Sequence, residues 1–147
     1  MILVFGGTKE AKVVTCILET KGYRYFYSTD TEIDFETGDY GIYRCGAFNV
    51  ETLIDFCQEG KINLIIYAPH SYTDVFNQTL YQVSLKQALP VICFEQLHAV
   101  AASDKLPASF MRVHTEEELM LAIFKTEIIL LWKKTREQMS INEVKKM

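Results

Sequence analysis

The chain has 147 residues, within the usual span of one domain and short for two. Hydrophobic residues make up 49% and charged residues 23%, which suits a packed core and excludes a disordered or collagen-like chain. Fifteen Lys and Arg against 19 Asp and Glu leave a net charge of −4, which argues against gripping nucleic acid by bulk charge.

Strands and helices alternate along the chain. Ile2 to Phe5 is a fully apolar run that stops at Gly6-Gly7, as a buried parallel strand does. Ala11, Val14, Ile17 and Leu18 recur at helical spacing between Lys9 and Lys21, and Gly22 supplies a stop. Tyr23 to Thr29 is aromatic-rich and reads as a strand, while Thr31 to Tyr43 is polar and reads as loop with a short strand. Asn49 caps a helix carrying Val50, Leu53, Ile54 and Cys57, ended by Gly60. Ile62 to Ala68 is the clearest central strand; Pro69-His70-Ser71 breaks it. A helix follows from about Asp74 to Leu89, and Pro90 precedes the buried strand Val91 to Phe94. Gln96 to Pro107 is irregular or one weak helix, and Phe110 to Val113 is a short strand. Thr115 to Glu118 is a capping-box signature for a last helix. Residues 126–147 are open between an edge strand over Ile128 to Trp132 and a continuing helix, since no Gly or Pro interrupts them.

This alternation implies βαβ units in a single Rossmann-like domain over 1–147: an α/β, doubly wound parallel sheet of about five strands with helices on both faces. Right-handed crossovers then collect ligands at the carboxyl ends of the strands.

Three loops at such ends are candidates. Gly6-Gly7-Thr8 lets backbone N–H groups approach a phosphate at a helix N-terminus, though a tight turn without ligand uses the same residues. Ser28-Thr29-Asp30 ends the second strand, where an acid holds ribose hydroxyls in dinucleotide folds and also caps ordinary loops. His70-Ser71-Tyr72 follows the central strand, and a His there can donate to an anion or carry a proton.

The four cysteines form no C-x-x-C pair. Cys16, Cys57 and Cys93 fall in helical or strand patterns where Cys is usually a small core residue, and no metal site is expected. The opening apolar run is too short for a signal peptide and Ile128 to Trp132 too short for a bilayer, so a soluble, reduced, cytoplasmic protein with no membrane contact is expected. From Lys133 to Met147 five bases face two acids; a solvated helix or one that meets an anionic partner carries such charges.

Taken in order, Gly6-Gly7-Thr8-Lys9-Glu10-Ala11, Arg44-Cys45-Gly46-Ala47-Phe48, Tyr67-Ala68-Pro69-His70-Ser71-Tyr72 and Glu95 resemble the motifs of the precorrin-6A reductase family of cobalamin biosynthesis, including its cobalt-precorrin branch. The likeness covers residues 1–96 best. The chain keeps Ala68 and His70 but has Tyr67, Pro69 and Ser71 where the family has Asp, Thr and Pro, and Gln96-Leu97 where it has Arg-Pro. The resemblance implies an oxidoreductase in which NADPH or NADH delivers hydride to a corrin-precursor macrocycle. It implies cofactor contacts at Gly6, Gly7, Thr8, Ser28, Thr29, Asp30 and Gly46. It also implies a substrate-facing, catalytic His70 with Ser71 and Tyr72. The family is about twice this length, so a homodimer or a separate chain is expected to supply the missing half of the cleft. The alternative is a non-catalytic module that holds a nucleotide or tetrapyrrole.

Overall fold

The short apolar runs become the strands of one parallel sheet. In the computed structural model residues 1–68, 74–95 and 110–146 are described, with side chains as far as Arg136 in the last stretch. The elements are β1 (Ile2–Phe5), α1 (Lys9–Lys21), β2 (Tyr25–Thr29), β3 (Gly41–Cys45), α2 (Val50–Glu59), β4 (Leu64–Tyr67), α3 (Asp74–Gln87), β5 (Val91–Phe94), β6 (Met111–Val113) and α4 (Glu116–Lys146). Their order in the sheet is β3-β2-β1-β4-β5-β6, every pair parallel. This is the doubly wound, Rossmann-like arrangement, with the topological switch between β1 and β4.

Six strands form where about five were expected. The short strand read within Thr31 to Tyr43 stands at its end as β3, an edge strand whose residues are half-buried or exposed, so no continuous apolar run marks it.

The two sheet faces are apolar in turn, as a period of two requires. Ile2 and Val4 of β1, Leu64 and Ile66 of β4, and Ile92 and Phe94 of β5 join Val14 and Leu18 of α1 and Leu119 and Ile123 of α4. Leu3, Phe5, Ile65, Tyr67, Val91 and Cys93 join Leu53 of α2 and Leu80 and Val83 of α3 on the other face. Helices therefore cover both sides.

Local signals set most boundaries. Gly22 closes α1 at φ +74°, a left-handed conformation that favours glycine. Asn49 and Thr52 form a reciprocal capping box on α2. Thr115 Oγ1 accepts from the Glu118 N–H, whereas the Glu118 carboxylate accepts from the His114 N–H. Residues 126–146, open between strand and helix in sequence, continue α4.

Cys57 and Cys93 are buried as expected, but Cys16 is exposed: it sits on the side of α1 turned from the sheet. Among the described residues no helix is long and apolar enough to cross a membrane.

Candidate functional site

At the carboxyl end of β1 the two glycines serve different needs. The Gly6 N–H donates to the Ser28 carbonyl (2.9 Å), and a Cβ at Gly6 would lie 2.1 Å from the ring of the fully buried Tyr27. Gly7 adopts φ +102°, and its N–H donates to Tyr27 Oη (2.7 Å). Around the missing Cβ of Gly7, among the described residues, only Thr29 Cγ2 comes within 4 Å, at 3.9 Å, so the described part of the turn leaves room for a ligand there. Gly6 is thus required by packing, Gly7 by its backbone angle.

Thr8 commits its hydroxyl twice. It caps α1 by accepting from the Ala11 N–H (3.1 Å), and it donates to the Ala68 carbonyl (2.8 Å). One side chain therefore ties the glycine turn to the end of β4 across the switch point. The remaining first-turn amides of α1, with the helix dipole, are the groups that attract an anion.

At the end of β2 the row Ser28-Thr29-Asp30 divides. Ser28 is buried, and its Oγ accepts from Arg44 Nη1 (2.8 Å). Thr29 Oγ1 donates to the Thr31 carbonyl (2.8 Å) and lies 2.9 Å from Tyr43 Oη. Asp30 is exposed. Arg44, which the sequence marked only as a motif residue, organises this edge. Its guanidinium also donates to the Gly46 carbonyl (3.0 Å) and stacks 3.9 Å over the Phe48 ring. Burial lowers its pKa, and the neighbouring Cys45 and Asp30 oppose that shift. Gly46, at φ +135°, leaves room for this side chain: a Cβ there would sit 3.0 Å from Arg44 Nη2.

His70, Ser71 and Tyr72 lie outside the described residues, as do His98 and the segment 96–109. Their neighbours are informative. Tyr67 is buried, with its ring 5.2 Å from that of Phe76, and burial raises its hydroxyl pKa. Asn77, in the first turns of α3, is 3% exposed, yet its amide nitrogen and oxygen find no hydrogen-bond partner among the described residues. A buried orphan amide costs about 1–3 kcal/mol, so it stands out as a ligand-facing candidate. No spacing rule singles out an Asn on a helix, and only its burial reveals it.

Glu95 closes β5. It is buried, which raises its carboxyl pKa, while His114 and Arg112 pull it down. The Cys93 thiol donates to Glu95 Oε1 (3.6 Å), and His114 Nδ1 lies 3.0 Å from the Glu95 carbonyl. His114, incidental in sequence, thus closes the β5–β6 end. Among the described residues no group of three or more His, Cys, Asp or Glu gathers to hold a metal.

The edge therefore offers a glycine turn with positive dipole, a carboxylate and an arginine at the ends of β2 and β3, and buried polar groups beyond the switch point. That combination suits a ligand with phosphate and ribose parts.

The family model described as precorrin-6x reductase CbiJ/CobK matches residues 1–132. No curated protein matches the chain in sequence. Among solved structures, CobK precorrin-6A reductase superposes with a TM-score of 0.58 at 22% identity, covering 65% of this chain and 38% of that one. The Shewanella denitrificans Kef CTD in AMP-bound form gives 0.53 at 13% identity, covering 97% and 91%. RSP, a Rex-family repressor, gives 0.50 at 17% identity, covering 90% and 61%. At these identities the likeness establishes the fold. The chain spans 38% of the length of the reductase structure it matches.

Proposed function

The chain belongs to the precorrin-6x reductase family, and from that premise we propose that it is a nicotinamide-dinucleotide-binding half serving hydride transfer to a corrin-precursor macrocycle in the cytoplasm. The observation that carries this reading is the open, left-handed Gly7 at the carboxyl end of β1, beside the switch point and the start of α1. NADH or NADPH, when bound, supplies the hydride.

The chain's own residues hold and orient it. The turn Gly6-Gly7-Thr8 brings the α1 amides to the pyrophosphate. At the ribose the exposed Asp30 makes the contact, while Ser28 and Thr29, buried behind it with their hydroxyls engaged, shape that edge and Arg44 holds Ser28 and Gly46 in place. Asp30 suits the paired hydroxyls of NADH, Arg44 the 2′-phosphate of NADPH. His70, Ser71 and Tyr72 face the tetrapyrrole, which a second copy or a separate chain encloses from the other side.

Calorimetric titration of NADH and NADPH into the full chain tests this. Saturable binding of at least one is expected, and Gly7→Val should abolish it with the circular dichroism spectrum intact. Unchanged affinity in a folded variant overturns the reading.

A second reading, a module that binds nucleotide or tetrapyrrole without turnover, is favoured by Tyr67. Where the family motif has Asp, this chain has a buried phenol packed on Phe76, which offers the substrate no carboxylate. Dinucleotide binding without oxidation of NAD(P)H in the presence of a corrin precursor and the complementary half would select it.

A further inference from the structure

Helix α4 is apolar on two opposite sides. Leu119, Ala122, Ile123 and Thr126 are buried on the side that meets the sheet. On the far side Leu121, Phe124, Ile128 and Leu131 recur every three or four residues, with Trp132 beside them. These five are 55%, 56%, 48%, 59% and 61% exposed, a contiguous stripe of the kind that marks an interaction surface. Along one flank of the stripe the α1 end and α4 enclose a groove of about 560 Å³ whose lining includes Ile17, Met120, Leu121 and Phe124, with Lys21 and Glu117 as its charged residues.

The charges bordering the stripe say what covers it. Glu116 and Lys134 are eighteen residues apart, about five full turns, and so share one edge. Glu118 and Arg136 have the same separation and share the other edge, where Arg136 is held 5.1 Å over the Trp132 ring. Each edge is therefore acidic at its start and basic at its end. The midpoints of these two pairs average to the level of residue 126. Leu121 and Leu131, Phe124 and Ile128, and Met120 and Trp132 are centred at that same level.

We propose that this face is a self-complementary dimer interface, in which α4 of two copies pairs antiparallel about a two-fold axis at the level of Thr126. Leu121 meets Leu131 of the second copy, Phe124 meets Ile128, and Trp132 of the second copy packs beside Leu121 on the edge that carries Glu118 and Arg136. Glu116 meets Lys134 and Glu118 meets Arg136 on the two edges. Every pair occurs twice, as an isologous interface requires. A parallel pairing would set Glu116 against Glu118 and Lys134 against Arg136, so the charges select the orientation while the apolar stripe supplies affinity. The exposed Lys125, nearest the axis on the Glu118 edge, reaches water past its symmetry mate.

Light scattering on the full chain at high micromolar concentration tests the proposal. A particle of twice the 16.9 kDa chain mass is expected. Leu131→Glu should return it to the single-chain mass with an unchanged circular dichroism spectrum, because that position is solvent-exposed. The chains E116K/E118K and K134E/R136E should each lose the dimer alone and recover it as a heterodimer when mixed. The paired positions lie too far apart on one helix for recovery to arise within a chain. A wild-type particle of single-chain mass leaves the face to some other partner and overturns the proposal. So does a dimer that survives Leu131→Glu, or a charge-altered pair that does not recover on mixing.

Discussion

Helices α1 and α4 lie on the same face of the sheet, yet they are held in opposite ways. The first has 13 residues, a Thr8 cap, a left-handed Gly22 stop and four buried residues spread along its length. The second has 31 residues and a Thr115 cap, and its sheet-buried side chains cluster between Leu119 and Thr126. The difference teaches that a helix's length follows its local stop signals, while its docking follows the surface available. No Gly or Pro interrupts α4, so it runs past the sheet and carries an apolar stripe into solvent.

Core truncation on α4 should break the comparison most severely. Leu119→Ala removes a fully buried side chain between the sheet and α4, and should cost about 2–5 kcal/mol in urea denaturation. Next in size is the clip at the head of α1. Thr8→Ala loses both the cap to the Ala11 N–H and the bond to the Ala68 carbonyl, an expected loss of about 1–2 kcal/mol. If Thr8→Ala also weakens dinucleotide binding measured by calorimetry, the tie between the glycine turn and β4 helps shape the site.

Smaller effects sharpen the contrast. Gly22→Ala places a Cβ at φ +74°, at an expected cost of about 1 kcal/mol in the same denaturation series. Leu131→Ala, on the same helix as Leu119, should change the stability of the single chain at low concentration by less than about 0.5 kcal/mol. A large loss there would mean that the outer stripe packs against its own chain.

The legibility of the sequence tracks this division. The fully apolar runs of β1, β4 and β5 and the caps at Asn49 and Gly22 are local, and each stands in the structure where its pattern puts it. The strand β3 is legible only as a short strand within a polar stretch and without bounds, because an edge strand with half-buried residues needs no apolar run. Cys16 shows the limit of residue type as a guide: a small apolar residue inside a helical pattern reads as core, yet it sits on the side of α1 turned from the sheet. At the candidate site the glycine turn is legible as a motif, whereas the separate reasons for Gly6 and Gly7 come from a tyrosine on the neighbouring strand, about twenty residues away in sequence.

By itself the sequence determined the α/β class, the order of most elements and the family, since these rest on short-range periodicity, turn chemistry and motif order. Only the tertiary structure decided that the Gly7 N–H is taken by Tyr27, that Thr8 spans to Ala68, and that Arg44 rather than a loop residue braces Ser28 and Gly46. It also decided which side of α4 meets the sheet and which is left to water. The physical reason is that each of these depends on a contact between segments distant in sequence. A hydroxyl or guanidinium has several partners within its reach, and the packed strands choose among them.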